Sequence, residues 1–479
     1  MSIPLPDQPS WGRSQFPPIG DYGFLSDCET TALVAPNGGI EWLCLPRMDS
    51  PSVFGAILDR DAGSFRINPA GVEVPAARRY IPGTMVLETS WWTPGGWLVV
   101  TDALLMGPWH HDHERSATHR RAPTDYDADH VLLRLIRCVN GQAQVRMYCN
   151  PVFDYGRHPA QWEYAGEGYH EALATAEGAE RSLRLTTDLN VGFEGPLATA
   201  RTLLKDGQTH FVALSWSEHA PPRTFEEADA RLTWTAHHWQ HWLDRGRFPD
   251  HPWRSFVQTQ VQRALEHWRE PDQGIWEVRS GPQHFTFSKV ACWVAADAGA
   301  RLAEGRGEKK LAAQWRTAAE QIRADVLARA VDERGVFTQR YGGKALDASV
   351  LLIPLFRFLP PDDERVRNTV LAIADELTED ELVLRYRVDE TEDGLTGEEG
   401  TFTICSFWLV SALVQIGELA RGRALCEKLL SYASPLQLYA EEIDPRTGRQ
   451  LGNFPQAFTH LALITAVTAV IRAERAQPR

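Results

Sequence analysis

Hydrophobic residues recur along the chain at two different periods, and the change between them comes near residue 220. Before that point, short β-prone runs are paired about turn residues, as in TALVAPNGGIEWLCLP and VLETSWWTPGGWLVVTDALL. Apolar runs joined by Asn-Gly or Pro-Gly are typical of β-hairpins. The pattern therefore predicts an antiparallel β-sandwich over residues 1–222.

Residues 223–253 predict a helical linker, and from residue 254 the apolar positions follow a helical period. Some predicted helices are apolar nearly all round, namely 285–304, 345–357, 400–418 and 455–475. The predicted helices between them have one apolar stripe and one charged face, namely 308–329, 363–377 and 420–433. Helices without a polar face belong inside a protein. Buried helices alternating with half-buried ones predict an α/α toroid over residues 254–479, with an inner ring packed inside an outer one.

In such a toroid, the connections that lead into inner helices share one rim. These connections are GIWEVRSGPQH, RYGGKALD, DGLTGEEG and YAEEIDPRTGRQLGNF. Their acidic residues include Glu277, Asp347, Glu398, Glu399, Glu441 and Glu442. Carboxylates for proton transfer beside aromatic faces, such as that of Trp276, are typical of a sugar site.

Glu277 is the most distinctive of these carboxylates because Trp276 and Val278 flank it. An apolar setting raises the pKa of a carboxyl group, as a general acid requires, whereas the nearby Arg279 and His284 would lower it. The pattern by itself leaves plainer interpretations open: a surface carboxylate at Glu277, a solvated acidic turn at Glu441 and Glu442, and favourable charge at a helix start for Glu398 and Glu399.

Composition narrows the possible classes of protein. A hydrophobic content of 43% excludes disorder, and a net charge of −14 argues against nucleic acid or an anionic membrane as partner. Seven cysteines without a CxxC motif indicate reduced core residues, and no apolar leader or uninterrupted run of transmembrane length is present. The histidines of residues 110–119 match no standard metal spacing. We expect a soluble cytoplasmic protein without metal or cofactor, whose partner is a small carbohydrate; a homo-oligomer is left open.

Five motifs, found in order along both ends of the chain, resemble those of a known family. They are PPIGDYGFLSDCETTALVAPNGGIEWLCLPRMDSPSVFGAILD, GIWEVRSGPQHFTFSKV, ALDASVLLIPLF, GEEGTFTICSFWLVSAL and EEIDPRTGRQLGNFPQAFTHLALI. Together they resemble the prokaryotic two-domain members of glycoside hydrolase family 15, which contains glucoamylases, glucodextranases and bacterial trehalases. The resemblance implies an N-terminal β-sandwich, a C-terminal (α/α)6 toroid, and inverting hydrolysis of a terminal α-glucosidic bond.

The same resemblance implies roles for individual residues. Glu277, which follows the Trp of the "WE" motif, is the expected general acid, and Glu441, the first Glu of the "EE" loop, is the expected general base. Further residues expected to bind the sugar are Trp276, Arg279, His284, Lys289, Asp347, Glu398, Glu399 and Glu442.

One departure from the family concerns the segment before Glu277. Family members carry there a long segment with a Trp-x-Arg-Asp motif that holds the glucose being cleaved, and this chain has no such motif. We count about eight toroid helices where the family has about twelve. The sequence therefore predicts an incomplete toroid, with two functional hypotheses: an inverting α-glucosidase, or a catalytically impaired descendant that binds carbohydrate or acts as a scaffold. A third alternative stays open, in which the gap arose in the gene model or the clone, or a second chain fills the ring by association.

Overall fold

The computed structural model describes residues 16–109, 126–166, 168–178, 182–216, 220–245, 253–388, 391 and 400–476. Within it the chain divides into two compact units, Met1–Arg247 and Phe248–Arg479. The predicted boundaries at 222 and 253 remain predictions. The histidines of residues 110–119 lie outside the described residues.

The first unit is built from antiparallel strands, as the hairpin pattern predicts. They are β1 (Gly23–Ser26), β2 (Thr31–Val34), β3 (Gly39–Cys44), β4 (Ser52–Phe54), β5 (Ser64–Pro69), β6 (Ala77–Tyr80), β7 (Leu87–Thr93), β8 (Gly96–Trp109), β9 (Tyr126–Asn150), β10 (His158–Pro159), β11 (Gln161–Tyr164), β12 (Glu171–Thr175), β13 (Leu183–Thr187), β14 (Gly192–Glu194), β15 (Leu197–Lys205) and β16 (Thr209–Trp216). The long strand β9 pairs with β5 and β15 over its second half and with β8 and β16 over its first. It thus joins the two halves of the strand network.

A buried arginine ties this network together. Arg134 on β9 has no exposed surface, and its guanidinium donates to the Asp102 carboxylate at 2.8 Å and to the Phe65 and Gly38 carbonyl oxygens at 2.7 Å. A buried charge is tolerated when its donors are paired in this way. Gly38, in the predicted Asn-Gly turn, has a φ of +80°, which glycine adopts without strain.

Helix α1 (Phe225–Arg245) follows the strands and packs on them. Its residues Ala228 and Leu232 share a core with Val86 and Ala103, and Thr235 accepts a hydrogen bond from the Met106 amide at 3.1 Å. This helix lies within the first compact unit, and its apolar stripe is buried against the strands.

The second unit is helical. Its longer helices are α2 (Trp253–His267), α3 (Thr286–Gly305), α4 (Lys309–Arg329), α5 (Glu364–Glu376), α6 (Thr403–Gln415), α7 (Leu419–Ser431) and α8 (Ala457–Ala476). Each lies where the periodicity predicts a helix. Helix α6 is buried nearly all round, as its sequence predicts.

Residues 345–357 differ from the prediction of a full helix. They form only a 3-10 turn, Ala348–Leu351, and one short α-helical turn, Leu352–Leu355. The Asp347 carboxylate caps the first turn by accepting from the Ser349 amide at 2.7 Å. Pro354 has no amide hydrogen, so it cannot donate a bond within a regular helix. The segment is nevertheless buried, from Ala348 to Pro354.

The prediction that residues 455–475 are buried all round is wrong. Helix α8 packs on α6 and α7, but Phe458, Leu461 and Ile464 on its other side are more than half exposed. By length and composition alone, α8 is also the one helix among the described residues apolar enough to cross a membrane.

Candidate active site

The loop before α3 carries Glu277 and is closed at its base. Asp272 and Gln283 exchange backbone hydrogen bonds of 2.8 Å in both directions, so residues 273–282 form a compact excursion. Within it, Val278 is 4% exposed and packs inward, whereas the Glu277 side chain is exposed. The loop thus presents the Glu277 carboxylate to solvent instead of enclosing it between apolar neighbours.

The backbone at Glu277 is in the left-handed region, with a φ of +52°. A residue with a Cβ atom pays a conformational penalty there, of roughly 1 kcal/mol. Such strain persists only where the surrounding contacts hold it, and it is concentrated at functional sites.

Trp276 anchors this loop to the protein interior. Its indole N–H donates to the Asp347 carboxylate, with Nε1 to Oδ distances of 3.1 and 3.0 Å, and its ring contacts those of Phe402 and Trp408. Asp347 is 2% exposed and also accepts from the Gln339 amide at 3.2 Å. Burial raises the pKa of the Asp347 carboxyl, against the lowering effect of these hydrogen bonds.

Lys289 holds the base of the same loop. Its side chain is 2% exposed, and its ammonium donates to the Glu270 carbonyl and lies 3.1 Å from the Asp272 carboxylate. The other Asp272 oxygen accepts from the Gly274 amide at 2.8 Å and from the Ser288 hydroxyl. This buried ammonium cannot reach a sugar without breaking these hydrogen bonds. Lys289 is therefore placed to support the loop.

Glu441 is held through its own carboxylate. Its Oε2 atom accepts from the Asn453 backbone amide at 3.1 Å and from the Asn453 side-chain amide at 2.9 Å. The adjacent residues Glu442–Ile443 form the middle strand of a small sheet between Thr401–Phe402 and Gln450–Leu451. This short ladder fixes the backbone on which Glu441 stands.

The two glutamate loops meet at the start of α6. The Trp276 and Phe402 ring centroids are 5.9 Å apart, and the amide of Thr403, the next residue, donates to the Glu441 carbonyl at 2.9 Å. Phe402 therefore touches Trp276, which precedes Glu277, and its own neighbour Thr403 is hydrogen-bonded to Glu441. The fold brings together two motifs separated by more than 150 positions in the sequence.

Arg385 belongs to this region, although no sequence motif had selected it. Its guanidinium carbon lies 4.5 Å from the Phe402 ring centroid and 5.6 Å from that of Trp276. An arginine over aromatic faces is favoured by cation–π attraction. In the sequence it follows the short apolar run Leu382–Leu384, which indicates only a strand. Asn453 was missed for a similar reason, since a lone Asn after a glycine indicates a turn.

The remaining predicted sugar-binding residues lie in different settings. Arg279 is exposed beside Glu277, and His284 stacks on Tyr341 with ring centroids 5.7 Å apart. Burial, with Lys289 and Arg329 nearby, lowers the pKa of His284 and so favours its neutral form. Glu442 accepts from the Gly400 amide at 3.0 Å. Glu398 and Glu399 lie outside the described residues.

Two cavities of about 470 and 460 Å³ occur in the helical unit. The first is lined in part by Arg340, Lys344 and Arg387, and the second by Arg323 and Phe358. Neither is bordered by Glu277 or Glu441, so neither coincides with the paired carboxylates.

An antiparallel strand unit, a helical unit and two glutamate loops meeting beside aromatic rings define a protein of the glycoside hydrolase class. The sequence model described as glycosyl hydrolases family 15 matches residues 244–468, and the one described as trehalase-like, N-terminal matches residues 10–179. The chain belongs to glycoside hydrolase family 15 and carries the trehalase-like N-terminal domain.

Named relatives and solved structures agree with this assignment. Trehalases from Mycobacterium tuberculosis and Mycolicibacterium smegmatis are each 49% identical over 617 residues, covering 96% of this chain and 91% and 92% of theirs. A bacterial glucoamylase solved with acarbose is 10% identical and shares the fold, with a TM-score of 0.58 over 96% of this chain and 95% of its own. The trehalase alignments are longer than this chain of 479 residues, so those relatives contain residues without a counterpart here.

Proposed function

We propose that this protein hydrolyses the α-glucosidic bond of trehalose with inversion, using Glu277 as general acid and Glu441 as general base. The observation that carries the proposal is the meeting of the two glutamate loops at Phe402, where Trp276 touches the ring and Thr403 binds the Glu441 carbonyl. The 49% identity to two trehalases supports trehalose as the substrate.

In this reaction Glu277 donates its proton to the glycosidic oxygen as the bond to the anomeric carbon breaks. Glu441 removes a proton from a water molecule, whose oxygen attacks the anomeric carbon from the opposite face. Inversion requires the two carboxyl groups to stand ~6.5–9.5 Å apart, which leaves room for that water. The two N–H groups of Asn453 suit a base that is a carboxylate at rest, because both are donors.

The other residues divide into two groups in this proposal. Trp276, Arg279, His284 and Glu442, with Glu398 and Glu399, are assigned to the sugar, by stacking or by hydrogen bonds. Lys289 and Asp347 are assigned to positioning instead of to sugar contact, because both are buried and bonded to the Glu277 loop.

The architecture proposed for the two units is a β-sandwich followed by an incomplete (α/α)6 toroid of about eight helices. The alternation of predicted inner and outer helices supports this proposal, as does the longer sequence of the trehalase relatives. The missing part is proposed to be the glucose-anchoring segment before the Glu277 loop.

The direct test is glucose release from trehalose by purified protein, with maltose and isomaltose as competing substrates and the Mycolicibacterium smegmatis trehalase as positive control. Glu277→Gln is expected to lower the rate by about 10³-fold or more, since the leaving group is then unprotonated. Proton NMR immediately after cleavage is expected to show equal amounts of β-glucose, from the residue attacked by water, and α-glucose, from the leaving group. Absence of glucose release where the control enzyme works would reject hydrolysis.

A second candidate function is carbohydrate binding without turnover. It is favoured by the exposure of Glu277 and by cavities that do not include either glutamate. Calorimetric titration with trehalose separates the two candidates. Binding that Trp276→Ala removes, without glucose release by the wild-type protein, would support this second candidate; hydrolysis abolished by Glu277→Gln would exclude it.

A further inference from the structure

Helix α8 exposes several of its large apolar side chains. Its buried residues are Thr459, Ala462, Ala466 and Val470, and Leu463 and Val467 beside them are partly buried against the same core. The opposite face carries Phe458, Leu461, Ile464 and Ile471, whose side chains are 66%, 61%, 62% and 40% exposed. We call this second set the α8 stripe. A surface helix normally turns its large apolar residues inward.

Three residues of the α8 stripe, together with Thr468, have the spacing of a helix–helix seam. Leu461, Ile464, Thr468 and Ile471 follow one another at steps of three, four and three residues, and Phe458 is not part of this repeat. Alternating steps of three and four keep side chains facing a partner helix through two heptad positions per repeat. No charged residue occurs between Ala457 and Ile471, and the first is Arg472.

A membrane is a poor occupant for this surface. Spanning a bilayer would require α8 to leave the core in which Ala466 and Val470 are buried. Lying on an anionic surface is opposed by the net charge of −14. The occupant must therefore cover one face of a helix that stays packed on α6.

We propose that the α8 stripe is the interface of a homodimer, in which two copies of α8 pack against each other about a two-fold axis. A two-fold contact uses the same surface on both copies, so a self-complementary apolar seam needs no other partner. The four stripe residues offer roughly 450 Å² per copy, and with their flanking residues a pair reaches about 1,000 Å², the lower end for specific interfaces. The dimer is independent of whether the protein hydrolyses trehalose.

The first test is the mass of the full-length protein in solution by size-exclusion chromatography with light scattering. Wild-type protein at micromolar concentration is expected at about twice the 53.8 kDa of one chain. Ile464→Glu and Leu461→Glu, which place a charge in the seam, are each expected to reduce the mass to that of one chain with unchanged circular dichroism. Leu302→Glu is the matched control, because Leu302 is an apolar residue of α3 that is 49% exposed, and it should leave the dimer intact.

A second test asks whether the contact is the proposed one. Thr465, exposed next to Ile464 near the middle of α8, flanks the seam and lies close to its copy when the two helices run antiparallel. Thr465→Cys in a Cys28→Ser background is expected to form an intermolecular disulfide on mild oxidation, whereas the Cys28→Ser protein is not; Cys28 is the exposed native thiol.

Three results would overturn the proposal. They are a monomeric wild-type protein, a dimer that persists in both glutamate variants, and flotation of the monomer with phosphatidylcholine vesicles through α8.

Discussion

The loops of Glu277 and Glu441 are held in opposite ways. The backbone at Glu277 is strained, with a φ of +52°, and its carboxylate is exposed, while buried residues behind it, Lys289 and Asp347, bind the rest of the loop. Glu441 stands beside a regular β-ladder and is fixed through its own carboxylate by Asn453. The comparison teaches that the first glutamate depends on distant supports, whereas the second depends on one neighbour.

The largest expected effect comes from removing the ammonium that supports the Glu277 loop. Lys289→Met leaves the Asp272 carboxylate without its cation and is expected to cost about 3 kcal/mol in free energy of unfolding. Urea denaturation measures this cost. Activity on trehalose should fall with it, because the loop is no longer held in place. Lys310→Met, an exposed lysine on α4, is the control and should change neither quantity. A Lys289→Met protein as stable as wild type would show that the pair does not anchor the loop.

Asp347→Asn is expected to lower the free energy of unfolding by about 2 kcal/mol. An amide NH2 group then faces the indole and amide N–H groups whose hydrogen bonds the carboxylate accepted. Its pH dependence is a second readout. Burial raises the pKa of Asp347, so the folded form binds the proton more tightly than the unfolded chain. Wild-type stability from this group is therefore greatest below the ordinary pKa and is lost as pH rises through the raised pKa.

The variant has no proton to lose, so its unfolding free energy should depend less steeply on pH above the ordinary aspartate pKa of about 4. Denaturation series for both proteins provide the comparison. Parallel curves would mean that Asp347 has no part in the pH dependence.

Replacing Glu277 tests the strain at that residue. Glu277→Gly is expected to be more stable than Glu277→Ala by about 1 kcal/mol, because glycine accepts the left-handed backbone without a Cβ penalty. Neither variant should release glucose, since both lack the acid. Thermal unfolding of the pair measures the difference. Equal stability would indicate that the loop relaxes once the side chain is removed.

The smallest expected effect is at the second glutamate. Asn453→Ala removes the side-chain hydrogen-bond donor to Glu441 but keeps the backbone donor. Because Asn453 is exposed, the free energy of unfolding should fall by only about 0.5 kcal/mol. Catalytic rate should fall by no more than about tenfold, with the substrate Michaelis constant nearly unchanged. A loss as large as that of Lys289→Met would mean that the two loops are held alike.

Local pattern and local motif were enough to predict much of this protein. The period of apolar residues located the hairpins β2–β3 and β7–β8 and the helices from α2 to α8, because backbone geometry fixes which residues share a face. The motifs around Glu277 and Glu441 identified the family, since each is a short contiguous run. The full helix at residues 345–357 was not found, because capping by Asp347 and a proline at position 354 override an apolar pattern.

By itself, the sequence determined the order and type of the elements and the two candidate glutamates. Only the tertiary structure decided that Lys289 and Asp347 support the Glu277 loop, that Arg385 stacks beside it, and that one face of α8 is exposed. The physical reason is that periodicity records whether a residue is apolar, whereas its partner is chosen by packing between segments far apart in the chain. The apolar residues of α6 are buried inside the second unit, whereas those of the α8 stripe stay exposed among the residues that the structure describes.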